Sequence, residues 1–187
     1  MLPTSPRIAP MPLDQVADDL MAEFGGRENP RNQLNFFKVM IQNPQVLRSY
    51  VPLAMRLGRE PSIPHRDKEI LILRTLALCG EAYEMAHHQV IARTAGLTDE
   101  EFEAARHGGP GLCAFEQALV TAAEELVRCH CISDATWAIL AGRYTASQLI
   151  ELVFMVGNYA LLSMIDNSLG IFPEDQVEKS WKPTDKD

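Results

Sequence analysis

The chain has 187 residues and a net charge of −8, from 25 acidic and 17 basic side chains. This length points to one domain, with a core large enough to fold without disulfide or metal staples. The acidic balance argues against a nucleic-acid partner and against an anionic membrane surface, both of which need basic patches.

Prolines crowd the first 64 residues and then nearly vanish until Pro173, which leaves the middle free for long helices. Residues 1–12 read as an extended arm. A first helix is predicted from Leu13 to Phe24, closed by Gly25-Gly26, and a second from Asn32 to Gln42. The next starts at Pro44, a first-turn proline, and stops near Leu57 at Gly58. Helices Arg66–Cys79 and Ala82–Ala95 follow, broken at Gly80. Thr98-x-x-Glu101 and Thr145-x-x-Gln148 are capping boxes, opening a short helix to Arg106 and a long apolar one to Leu169. Between them lie an amphipathic helix, Phe115–His130, and a shorter one from Ser133-Asp134 to Ala141. Gly80, Gly96, Gly108, Gly142 and Gly170 sit where helix C-caps are expected. No alternating, turn-bounded run supports a strand, so the fold class is all-α. The polar tail from Pro173 is expected to be loosely held. The predicted organisation is N-terminal arm and helices over 1–60, a core over 61–172 and a tail over 173–187, within one domain overall.

The four cysteines, Cys79, Cys113, Cys129 and Cys131, include no Cys-x-x-Cys and read as reduced thiols of a cytoplasmic protein. The N-terminus shows no signal-peptide core. The most apolar stretch, Leu152–Ile165, is shorter than a membrane span and contains Asn158. No dinucleotide, Walker A, nucleophile-elbow or zincin motif occurs, so no cofactor is expected.

Chemistry concentrates between Arg66 and Thr98. On a wheel of about 100° per residue, with Glu84 at zero, His88 lies about 40° away, Ile91 about −20° and Ala95 about 20°, with Arg93 opposite. Glu84 and His88 therefore share a face with apolar residues, pointing towards the interior or a subunit interface. A buried Glu–His pair at this spacing can share a proton and suits general acid–base work near neutral pH. Glu69, inside the apolar run Ile70-Leu71-Ile72-Leu73, can face the same pocket from the preceding helix. Glu81 reads most simply as compensating the helix dipole, His87 as a surface or packing residue and Arg74 as a salt-bridge residue. Tyr83 can place its ring in the core or its hydroxyl at the pocket.

The segments Arg66-Asp67-x-Glu69-Ile70-Leu71-Ile72-Leu73-Arg74, Tyr83-Glu84-x-x-x-His88 and Ala95-Gly96-Leu97-Thr98 resemble the carboxymuconolactone decarboxylase family, which includes the alkylhydroperoxidase D-like proteins. Similarity to the family's longer members continues through Ser133-Asp134-Ala135-Thr136-Trp137 and Gln148–Tyr159. The resemblance implies an all-helical bundle with a site-bearing helix pair, assembled as a homo-oligomer (dimer, trimer or hexamer). In peroxidase-type members a Cys-x-x-Cys pair precedes the active-site histidine, and an upstream glutamate helps move protons. Matched on His88, those thiol positions are Glu81 and Glu84, and the upstream glutamate is Glu69. Thiol peroxidase chemistry needs a nucleophilic and a resolving thiol, which carboxylates cannot replace.

The resulting expectation is a lyase acting on a small lactone or unsaturated carboxylic acid, with catalytic Glu69, Glu84 and His88. His88 moves the proton, Glu84 orients it and Glu69 is the second acid or base. Two alternatives stand beside it: a divalent metal held by Glu69, Glu84 and His88, and a non-enzymatic oligomeric ligand binder.

Overall fold

The structure, a computed structural model, describes residues 2–175. Among them are nine α-helices and no strand: α1 Asp18–Glu23, α2 Asn35–Met40, α3 Pro44–Arg59, α4 His65–Cys79, α5 Tyr83–Thr94, α6 Asp99–His107, α7 Ala114–Cys129, α8 Asp134–Ala141 and α9 Ala146–Leu169. The all-α reading is therefore correct.

The central element is α4. Every residue from Asp67 to Leu76 is buried, so the helix has no solvent face. It packs against α5, α6, α7 and α9, and its leucines and isoleucines form the main core with Leu119, Leu140, Leu152 and Met155. A helix buried all round must pair each charge that it carries. Arg66 donates to Glu116 at 2.7 Å and to the Gly96 carbonyl at 2.8 Å. Asp67 accepts from the Tyr144 hydroxyl at 2.6 Å. Arg74 is taken up by Glu124 and the Arg106 carbonyl, as a salt-bridge residue. These clamps fix the rotation of α4 and hence the direction of Glu69.

Both capping boxes form, opening α6 and α9, and Gly80 closes α4 in the left-handed conformation. Several boundaries differ from expectation. The predicted helix Leu13–Phe24 is a 3-10 turn, Leu13–Gln15, followed by the shorter α1. The predicted helix from Asn32 starts only at Asn35, after a separate 3-10 turn, Pro30–Gln33. Helix α3 does not stop at Gly58 but continues to Arg59, and buried Lys68 satisfies the Gly58 carbonyl at 3.0 Å. Gly142 is right-handed (φ −67°), because the amides of Arg143 and Tyr144 turn back onto the Leu140 carbonyl.

A second cluster, Val16, Met21, Phe37, Met40, Ile41 and Leu47, packs the N-terminal helices together. The arm docks on the end of α9, where the amides of Arg7 and Ile8 donate to the Leu169 carbonyl at 2.9 and 3.2 Å. Gly170 permits this approach: its φ is +70°, and a Cβ there would lie 2.8 Å from the Ser5 carbonyl oxygen. A third cluster, Val39, Tyr83 and Ile171, joins α2, α5 and the segment after α9.

At 24 residues, α9 is long and apolar enough to cross a membrane, against the count made from Leu152–Ile165 alone. Half of its most apolar window is buried in the fold, and its inner face carries Glu151, Asn158 and Asp166 among apolar residues. Glu151 accepts the Ser62 hydroxyl at 3.0 Å and the Ile63 amide at 3.3 Å, pinning the loop before α4. This is the pattern of a core helix.

Candidate active site

Helices α4 and α5 bring two of the three expected residues into direct contact. Glu69 is fully buried, and its Oε2 lies 2.6 Å from His88 Nδ1. An ionised carboxylate can only accept, so Nδ1 carries the hydrogen of this bond. The other ring nitrogen, Nε2, faces Glu84, whose Oε2 is 3.7 Å away. That gap is too long for a hydrogen bond and leaves the Nε2 side open to a transferred proton. Lys68, also buried, lies 3.1 Å from the second oxygen of Glu69. Tyr159 of α9 sets its ring edge-on to His88, with centroids 5.0 Å apart.

Burial alone would push the Glu69 carboxyl up, but His88 and Lys68 outweigh it and hold it below the ordinary range. Burial alone would lower His88, yet Glu69, followed by Glu84, raises it above the ordinary imidazole value. Glu84 moves opposite to Glu69. Burial raises its carboxyl, Glu174 and Glu69 add to the rise, and His88 and His87 oppose it. Two carboxyls therefore flank one imidazole with opposite proton affinities, an arrangement that separates acid and base roles.

The orientation of α5 differs from the wheel reading by about one residue. Its buried positions are Tyr83, His87, His88 and Ala92, while Glu84 is half-buried. Glu81 is buried and caps α5, accepting the Glu84 amide at 2.8 Å and the Met85 amide at 3.2 Å. Burial, then the charge of Glu84, raises its carboxyl to about 7. Tyr83 places its ring in the core as expected, but its hydroxyl turns away from the pocket of Glu69, Glu84 and His88. It accepts the Phe36 amide at 3.3 Å and donates to Glu174 at 3.1 Å.

Sequence reasoning missed Lys68, Tyr159, Asp166 and Glu174. Asp166 is buried in α9, and neither oxygen has a hydrogen-bond partner among the described residues. Burial, with Glu84 and Glu81, raises it to about 9, so it is a neutral acid at pH 7. Glu174 contradicts the loosely held tail in its described part, because it is tied to α5 and to Asn35. Residues 176–187 of that expected tail lie outside the described residues.

The metal alternative fails on geometry. Among the described residues no group of three His, Cys, Asp or Glu side chains can hold an ion. Glu69 and Glu84 address opposite nitrogens of one ring, so they cannot share an ion with it. Thiols offer little more. Cys79 is half-buried, and burial raises its proton affinity, while Cys113, Cys129 and Cys131 are exposed.

Residues 44–126 match the family model described as the carboxymuconolactone decarboxylase family. No curated protein matches the chain. Among solved structures, similarity extends to an uncharacterized peroxidase-related protein from Ralstonia eutropha JMP134 with an alkylhydroperoxidase AhpD core. It is 16% identical, covers 91% of this chain and 94% of its own, and has a TM-score of 0.74. An uncharacterized peroxidase-related protein from Silicibacter sp. TM1040 is 14% identical over 95% of this chain and 97% of its own, at a TM-score of 0.71. These likenesses establish the fold, and the matched segment spans α3 to α7 and so contains Glu69, Glu84 and His88. Residues 44–126 thus resemble the carboxymuconolactone decarboxylase family, and the chain has the alkylhydroperoxidase D-like fold.

Proposed function

We propose that this protein is an acid–base lyase acting on a small lactone or unsaturated carboxylic acid. The observation that carries this reading is the Glu69–His88–Glu84 line, with one carboxylate bonded to Nδ1 and a second facing Nε2. The sequence-based roles of the two glutamates are then exchanged. Glu69 orients and charges the imidazole, and Glu84, half-buried with raised proton affinity, is the second acid or base at the reacting face. The reaction needs proton transfer at a carbon conjugated to a carbonyl, followed by loss of carbon dioxide. His88 exchanges the proton through Nε2, and Glu84 takes or returns it.

Carboxylated unsaturated lactones and short unsaturated acids, screened for carbon dioxide release, form the test. Turnover by the wild type, lost in His88→Ala with the helical circular dichroism intact, is the expected result. An equally active His88→Ala sinks the assignment. Replacement of all four cysteines by alanine should leave turnover within about threefold, because no thiol takes part. Loss of a peroxide-reducing activity on that change would restore the thiol reading.

A ligand binder without turnover is the second reading. Two surface concavities away from His88, one at Pro10–Leu13 and Lys38, the other at Trp137 and Phe154, are where such a ligand would sit. Assembly with further copies of the chain belongs to both readings, through the exposed apolar face of α9.

A further inference from the structure

Beside His88 lies a second cluster that the acid–base reading does not use. Glu174 directs its carboxylate at two donors and at the His87 ring, whose Nε2 is close but without hydrogen-bond geometry. Oε1 accepts the Asn35 amide at 2.6 Å and the Tyr83 hydroxyl at 3.1 Å, and Oε2 lies 3.0 Å from His87 Nε2. Tyr83 and His87 are both buried, at 1% and 7% exposure, and their rings pack edge-to-face with centroids 4.9 Å apart. The Phe36 amide donates to the Tyr83 oxygen, which turns the phenolic hydrogen towards the carboxylate. The donors are thus fixed before any anion arrives. Burial works against the ionised form of Glu174, but His87 and the Asn35 amide outweigh it and hold its carboxyl down to about 2.

Tyr83 and His87 run along α5 one residue ahead of Glu84 and His88. Both His87 and Glu174 act on the charge of Glu84, so the cluster and the reacting face are electrostatic neighbours. A ligand carboxylate held by Tyr83 and His87 would lay its carbon skeleton beside Glu84 and His88.

We infer that Tyr83, His87 and the Asn35 amide form the recognition subsite for a free carboxylate of the substrate, and that Glu174 fills it in cis until a ligand displaces it. This rests on the acid–base reading for what happens at His88, but not for the binding itself. Glu174 keeps 18% of its side chain exposed, so its rotation into solvent can empty the subsite without moving α5. The in-cis carboxylate lowers apparent affinity by the fraction of molecules in which the subsite is empty. It also selects ligands, because a neutral lactone or amide cannot replace the charge that Tyr83 and His87 are arranged to receive.

The test is calorimetric titration with fumarate and with its neutral analogue fumaramide, alongside the histidine ring signals by nitrogen-15 NMR. Glu174→Ala should bind fumarate about tenfold tighter or better than wild type, with Glu174→Gln intermediate. Fumaramide should gain nothing, and fumarate should shift the His87 ring signals. Adding His87→Gln or Tyr83→Phe to Glu174→Ala should cancel the gain. Should the alanine variant fail to fold, the glutamine variant carries the same test. Fumarate binding that is absent or no tighter in the folded variants overturns the subsite, and so does an equal gain for fumaramide. Repeating the titration on the His88→Ala background separates the two proposals. A retained gain there supports the subsite even when no substrate turns over, and a gain lost with His88 overturns it.

Discussion

Glu69 Oε2 and His88 Nδ1 form a buried charged pair 2.6 Å apart, and its consequences are measurable on single residues. Because Glu69 outweighs burial, His88 should titrate above about 6.5. In Glu69→Gln burial prevails and the value should fall below it; NMR titration of the ring carbon checks both. An unchanged value would mean that Glu69 does not charge the ring. Asp166 gives a second prediction with a definite sign. Its carboxyl ionises near 3.8 when unfolded and about 9 when folded. The stability linked to its proton is therefore full below pH 3.8 and is lost as the pH climbs towards 9. Asp166→Asn should grow more stable relative to wild type across that window, by about 1.4 kcal/mol per pH unit at most. Urea unfolding at pH 5, 7 and 9 reads it, and a pH-independent difference would refute the buried neutral acid. Glu84 and His88 were legible because a four-residue spacing places them together on one helix. That Glu69 rather than Glu84 bonds the ring was not, since a wheel carries no information on the angle between α4 and α5. Glu174 was legible from nothing nearby, because its partners lie in α2 and α5, far away in sequence.

Helix caps, first-turn prolines and glycine stops act within a few residues, and they marked α4 to α9 to within a residue or two. The N-terminal region obeyed the same signals less well. Val16 and Met21 are buried among α2 and α3 residues, and this packing replaces a continuous helix from Leu13 by a 3-10 turn and the short α1. The wheel reading of α5 failed by about one position because Tyr83 and His87 are drawn inward by Val39, Ile171 and Glu174. Gly170 tests the docking of the arm. Gly170→Ala places a Cβ at positive φ against the Ser5 carbonyl, which should cost about 1–2 kcal/mol and release residues 2–12. Hydrogen exchange should rise in the Arg7 and Ile8 amides while α4 stays protected. An arm as protected as in the wild type would contradict this contact.

The described fold leaves one face of α9 uncovered. Ile150, Val153, Phe154, Leu161 and Met164 are exposed along it, with no charged residue among them. An apolar stripe of this length is a liability in an isolated chain and fits a like surface of a second copy. Phe154→Glu with Met164→Glu should lower the sedimenting mass while the helical signal persists; an unchanged mass would place assembly elsewhere. Under the proposed function, the His88 imidazole passes a proton through Nε2 between two unlike carboxyls. Deuterium incorporation is the most direct measure of this transfer. Unsaturated lactones and acids bearing a free carboxylate are incubated in heavy water and followed by proton NMR at the carbon conjugated to the carbonyl. The wild type should exchange, His88→Ala should lose at least about a hundredfold, and Glu84→Gln should lose a comparable amount. Exchange at the wild-type rate in His88→Ala, or none by the wild type on any carboxylated member of the series, would contradict the proposed function.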